Sequence, residues 1–122
     1  MLAECYNQTD QQTKAVEKIN QVRERVGMPG LNSGPEYLKA TTKDEVFKRI
    51  RHERAVELAG EGHSFSDMKR WKLLESLDGQ VKGFTGQVYY NRVVQERDYL
   101  WPIPNGEMEK NPNLKGDQNP GW

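Results

Sequence analysis

Cysteine is almost absent from this 122-residue chain. The single residue, Cys5, cannot close an intramolecular disulfide, so the count says nothing of redox compartment. Histidine is nearly as scarce. His52 and His63 stand without cysteine or aspartate at matching spacing, which argues against a metal site. With so few histidines no Ser-His-Asp or Cys-His order is convincing either. Net charge is missing altogether, because 18 basic and 18 acidic residues cancel. A nucleic-acid or anionic-membrane surface needs a basic excess, so neither partner is expected. The densest basic run, Lys48, Arg49, Arg51, His52 and Arg54, is interleaved with Glu45, Glu53 and Glu57. It reads as a solvated or internally paired helix. No run is long and apolar enough to span a membrane. Met1-Leu2-Ala3-Glu4-Cys5 lacks the basic and apolar segments of a signal peptide, and Glu4 is wrong for the small residue that precedes a lipoprotein cysteine. Cys5 reads instead as a small apolar residue of a helix.

Apolar side chains are also in short supply, at 34%. Globular chains average about 45–50% by a slightly wider count that includes glycine. A chain of this size buries roughly two-thirds of its unfolded surface, enough for one modest core. The lean composition fits a loosely cored helical fold or, preferably, a piece of a larger protein whose remainder supplies the core.

What is present reads as helices and loops. Residues 1 to about 8 resemble the tail of a helix, with Leu2 and Tyr6 one turn apart, and Thr9 and Asp10 read as turn and N-cap residues. A second helix runs to about Val26, with Ala15, Ile19, Val22 and Val26 on one face, and Gly27 and Pro29 stop it. Two such short antiparallel helices over 1–26 look like one tetratricopeptide-type unit, which needs stacked neighbours to bury its face. Residues 27–41 form a loop. Thr42 and Glu45 make a capping box that opens a helix to about Gly60. Val46, Phe47, Ile50 and Leu58 define its apolar face, yet Arg54, Glu57 and Glu61 project onto that face, with Glu53 at its edge. Gly60 and Gly62 mark a break. Ser64 and Asp67 are candidate caps of a further helix that carries Phe65, Met68 and Trp71 and ends near Gly79, so that 42–79 form a second helix pair. Val88, Tyr89, Tyr90, Val93 and Val94 allow a short strand or hairpin. Residues 80–122 read as an irregular strap, with Pro102, Pro104, Pro112 and Pro120 removing donors and extending their neighbours from Tyr99 onward.

Two constellations carry the functional argument. From Ile50 to Trp71 a helix–glycine–helix unit places charges on its buried side, and buried charges must be paired. Glu53, Arg54, Glu57, Glu61, Asp67, Arg70 and Trp71 are therefore read as a structural network joining two helices. The alternative, a catalytic carboxylate pair, is disfavoured because carboxylates beside arginines are held ionised, the wrong tuning for a general acid. The second constellation is YLWPIP, Tyr99 to Pro104, followed by NPNL and QNPGW. Alternating aromatics and prolines make a stiff strap. Packing is its expected role, with stacking on sugar rings the weaker alternative for Trp101 and Trp122. GFTG, Gly83 to Gly86, lacks the lysine and the following helix of a phosphate loop. No cofactor is indicated.

At these constellations a family resemblance emerges. ERAVELAGEGHSFSDMKRW resembles the helix pair near the C-terminal end of SusD/RagB proteins, through Glu53, Arg54, Glu57, Leu58, Glu61, Gly62, Asp67, Arg70 and Trp71. His63 stands where the family commonly has arginine. YLWPIPNGEMEKNPNLKGDQNPGW is similar to the family's terminal strap almost throughout, and INQVRERVGMPGL is similar to the segment that precedes both. The resemblance implies a C-terminal segment of a surface lipoprotein of the bacterial outer membrane. Such proteins capture glycans, or in some cases peptides, without cleaving them and sit as a lid on a TonB-dependent SusC-like transporter. It implies a mainly α fold, with tetratricopeptide-like helix pairs and long irregular loops. The family's ligand platform lies outside the matched residues, so this segment is expected to be scaffold. The isolated chain is expected to self-associate. The rival readings are a small tetratricopeptide-like interaction module without a glycan role, and a glycan-processing enzyme.

Overall fold

The structure is a computed structural model, which describes residues 1–114 and 116–122. Those residues form a mainly helical chain with five α-helices and one two-stranded sheet. It divides into two compact units, Met1–His63 and Ser64–Trp122. The division falls inside the 42–79 segment that the sequence groups as one helix pair.

The first unit contains α1 (Leu2–Gln8), α2 (Gln12–Arg25) and α3 (Lys43–Glu57). α1 turns into α2 through Asp10, whose φ of 58° lies in the left-handed region. Asp10 is thus the pivot of the turn, and Gln11 occupies the N-cap expected of it. The Asp10 side chain is used elsewhere. Lys43 Nζ donates to Asp10 Oδ1 at 2.8 Å and to the Gln8 carbonyl at 3.2 Å, while Asn7 Nδ2 donates to the Lys43 carbonyl at 3.1 Å. These bonds tie the end of α1 to the start of α3. Lys43 also holds the Asp10 carboxyl below the usual carboxylate range, by hydrogen bond first and charge second.

α3 begins with the capping box expected from sequence. Thr42 accepts from the Glu45 amide, and Glu45 accepts from the Thr42 amide at 3.0 Å and the Thr41 amide at 2.9 Å. Those backbone bonds lower the Glu45 pKa to about 2.

The core of this unit is Ala15, Ile19, Leu31, Leu38, Ala40, Val46 and Ile50. Leu31, Leu38 and Ala40 come from the segment read only as a loop. Two asparagines make that possible. Asn20 accepts from the Leu31 amide at 2.7 Å and donates to the Leu31 carbonyl at 3.3 Å. Asn32 does the same for Ala40, at 2.7 and 2.9 Å. Each amide side chain stands in for one rung of a β-ladder, so irregular backbone can be buried without orphaned polar groups. Val26 departs from the expected stripe. It is 55% exposed, and the buried position one turn after Ile19 is Arg23. Cys5 is exposed on α1 and does not belong to the apolar face.

In the second unit α4 (His63–Arg70) starts one residue before Ser64 and stops well short of Gly79. Asp67 is accordingly a buried mid-helix residue and not a cap. Lys72, with φ at 57°, ends the helix in the left-handed conformation typical of a C-terminal stop, and a 3-10 turn follows at Leu74–Leu77. β1 (Gly79–Lys82) pairs antiparallel with β2 (Val88–Arg92), Gly79 opposite Arg92, with an irregularity between Val81 and Lys82. This is the hairpin the sequence allowed, with Val93 and Val94 left outside it.

Beyond a 3-10 turn at Glu96–Tyr99, the strap is not wholly irregular, since α5 (Asn105–Lys110) interrupts it. Pro104 precedes that helix, where its missing N–H costs nothing. Gln118 clamps the strap as the asparagines clamp the loop, accepting from the Ile103 amide at 2.8 Å and donating to its carbonyl at 3.0 Å. Among the described residues of this unit only Leu74 is a buried hydrophobic side chain. Tyr99 secures it, accepting from the Leu74 amide at 2.9 Å while its hydroxyl donates to Glu75. Burial, and then the Glu75 bond, push the Tyr99 hydroxyl up, while that bond draws the Glu75 carboxyl down.

Candidate functional site

Of the charges read from the sequence, Glu53, Glu57, Glu61 and Asp67 each take part in an ion pair. Glu53 of α3 meets Arg23 of α2, with side chains 12% and 5% exposed, and Glu57 meets Arg25 at a more exposed position. Arg23 Nε also donates to the Pro29 carbonyl at 2.7 Å. One guanidinium thereby joins α2, α3 and the loop after α2. Arg54 is half-buried beside them. Glu61 is exposed and lies 3.8 Å from His63. In the second unit Asp67 is buried and accepts from Arg70 Nε at 2.8 Å, and the Arg70 guanidinium stacks 4.5 Å from the centre of the Trp71 ring.

Neither arginine of α2 was singled out by sequence reasoning as a partner. A signal existed: Ala15, Ile19 and Arg23 repeat at four-residue spacing, so Arg23 projects from the apolar stripe. A charge on the stripe of α2 and charges on the stripe of α3 complement each other once the helices pack.

Alongside these pairs, the first unit has an open trough of about 450 Å³. Ala3, Ile19, Val22, Ile50 and Leu58 supply its apolar lining, and Arg25, Glu53, Arg54 and Glu57 its charged edge. The chemistry on offer is charge pairing and apolar contact. Glu53 and Glu57 each pair with a guanidinium group of α2, which braces α3 against it. No group of three potential metal ligands occurs among the described residues, and none of the described helices is long and apolar enough to cross a membrane.

Trp101 is 74% exposed and Trp122 48%, so the strap does not bury them within this chain. Each is nonetheless anchored, Trp101 through its backbone and Trp122 through its indole. Asn119 Nδ2 donates to the Trp101 carbonyl at 2.5 Å, and the Trp122 indole donates to the carbonyls of Arg97 and Leu100 at 3.2 and 3.1 Å. Gly121 makes the second anchor possible. Its φ of +87° turns the chain back, and a side chain there would come within 2.8 Å of Arg97 Cβ.

Comparison with known proteins finds SusD-like relatives. A SusD-like protein from Formosa agariphila is 34% identical over 115 residues, covering 93% of this chain and 21% of that protein. A second SusD-like protein of the same organism is 33% identical over 111 residues, covering 90% and 21%. The crystal structure of a SusD-like protein from Bacteroides fragilis superposes with a TM-score of 0.77 at 28% identity, over 98% of this chain and 23% of its own. The chain thus spans about a fifth of the length of the curated relatives it matches. The SusD family pattern matches residues 1–122, and the chain belongs to the SusD family.

Proposed function

We propose that the protein serves non-enzymatic capture of oligosaccharide or polysaccharide at the cell surface, for uptake through a SusC-like TonB-dependent transporter, and that Met1–His63 acts as scaffold. The family match over the whole chain carries this reading. SusD family proteins are non-catalytic carbohydrate-binding proteins associated with the outer membrane. The ion pairs of α2 and α3 support the scaffold role, because they spend the charged side chains on holding helices together. In the same reading α1 and α2 form one tetratricopeptide-type unit, Arg54, Glu57 and Glu61 extend the ion pairs of Met1–His63, and Asp67, Arg70 and Trp71 brace Ser64–Trp122.

The test is calorimetry of oligosaccharides with the longer family protein that contains these residues, together with an assay for released reducing ends. Binding without release is expected. Release of reducing sugar would make it an enzyme and end this proposal. The apolar trough of the first unit favours a second reading, a protein-interaction module without a glycan role. A glycan array that stays blank while a protein partner is retained would establish that one instead.

A further inference from the structure

The second unit holds a cleft of about 430 Å³ whose walls include Phe65, Leu100, Trp101 and Trp122, with Arg92 and Asp98 also lining it. We propose that this cleft is a sugar-binding subsite that holds one neutral hexopyranose ring of a glycan chain, with Trp101 as its stacking platform. The ligand class rests on the glycan-binding reading above, whereas the site rests on the geometry of the cleft.

Large aromatic side chains normally bury most of their surface. Here Phe65 is 49%, Trp101 74% and Trp122 48% exposed, all facing one cavity. Exposed rings gathered in one place mark a contact surface, unlike apolar side chains scattered singly. The anchored strap that carries two of them favours a small ligand over an adaptable protein patch. The Trp101 carbonyl is held by Asn119, the next residue is Pro102, and Gln118 clamps Ile103 on both its amide and its carbonyl. Trp122 is held through its indole nitrogen. A strap backbone and an indole set before binding lose little freedom when a ligand arrives.

Cations further organise the rings. Lys69 Nζ lies 5.0 Å from the centre of Trp101 and 5.5 Å from that of Phe65, and the Arg97 guanidinium lies 4.9 Å from that of Trp122. Each cation occupies one ring face, and a planar ring has a second. The electron-rich face of an indole suits the slightly positive C–H bonds of a pyranose, whose equatorial hydroxyls point outward to the rim. Two residues at the cleft can meet those hydroxyls. Asp98 commits Oδ2 to the Gln95 amide at 2.8 Å, and a carboxylate has about four acceptor sites. Arg92 commits Nη1 to the Leu77 carbonyl at 3.2 Å, and a guanidinium has about five donor hydrogens. A carboxylate acceptor and a guanidinium donor beside aromatic faces match a polyhydroxylated ring. The mixed signs of charge offer little to an anionic or cationic ligand.

Saturation-transfer NMR and tryptophan fluorescence on the full 122-residue chain test this, using hexasaccharides of α- and β-linked glucose, mannose and galactose. At least one should receive saturation and shift the fluorescence. Trp101→Ala should weaken its binding at least tenfold, Trp101→Tyr should restore much of the loss, and Tyr37→Ala, an exposed aromatic of the first unit, should leave it unchanged. Circular dichroism of each variant secures that the fold is intact. Equal binding by wild type and Trp101→Ala would overturn the subsite while leaving the glycan-binding reading standing. If none of the hexasaccharides binds the chain, the subsite is overturned, and the glycan-binding reading keeps its own test on the longer protein.

Discussion

Arg23→Ala should be among the most damaging single substitutions in the first unit, although Arg23 stands among polar residues in the sequence. Its side chain is 5% exposed and meets Glu53, itself 12% exposed. Removing the guanidinium leaves a carboxylate in a largely dry place and frees the Pro29 carbonyl that Arg23 Nε held at 2.7 Å. Stranding one partner of a buried pair costs about 3–5 kcal/mol. The Arg25–Glu57 pair is the internal control, because Arg25 is 66% exposed and solvent screens it. Such surface pairs are worth about 0–1 kcal/mol. Urea unfolding is the assay, followed by far-ultraviolet circular dichroism, since Trp71, Trp101 and Trp122 all lie outside Met1–His63. With a urea dependence of about 1–3 kcal/mol per molar, Arg23→Ala should lower the midpoint by more than about 1 M, and Arg25→Ala by a small fraction of that. Replacing both partners, Arg23→Met with Glu53→Leu, should recover much of the loss, because no charge is then left alone. Equal midpoints for Arg23→Ala and Arg25→Ala would refute the buried-brace account.

Other expectations follow from the same structure. Thr42→Ala removes the acceptor for the Glu45 amide and should cost about 1 kcal/mol in urea unfolding, with α3 fraying first by hydrogen exchange. Because the folded Glu45 pKa is about 2 against an ordinary 4.5, its contribution is complete above 4.5 and is lost as pH falls toward 2. The difference in urea midpoint between wild type and Glu45→Gln should therefore shrink across that window and stay flat above it. Half-buried Arg54 should matter more than exposed Lys48, so matching urea midpoints for Arg54→Ala and Lys48→Ala would count against the network proposed around it. The chain in isolation should self-associate through apolar surface such as the trough beside Ile19 and Ile50, and a monodisperse monomer by light scattering, with no dye-detectable apolar surface, would argue otherwise.

Local chemistry made much of the fold legible. The capping box of α3 was readable because it needs only Thr42 and Glu45, three residues apart. The hairpin was readable from a run of valine and tyrosine. Boundaries failed where long-range contacts decide them. Gly79 looked like the stop of α4, but the chain leaves the helix at Lys72 and spends Leu74 on a contact with Tyr99, 25 residues away. Residues 27–41 read only as a loop, because nothing local shows that Asn20 and Asn32 each satisfy a complete backbone pair, which is what lets Leu31 and Ala40 be buried. At the candidate sites, sequence placed charges on the apolar face of α3 and aromatics in the strap. It could not say which arginines answer the former or whether the latter are covered.

By itself the sequence determined the neutral charge, the absence of an intramolecular disulfide, the periodic faces of α2 and α3, and the motif combination that marks the family. These depend on residue type and short spacing, which are properties of the chain before it folds. Tertiary structure alone decided that Arg23 and not Val26 is buried, that Glu53 and Glu57 are met from α2, and that Trp101 stands 74% exposed on a pinned strap. The reason is one of distance. A side chain's partner or exposure depends on residues tens of positions away, and only packing brings Arg23 to Glu53 or Asn119 to Trp101.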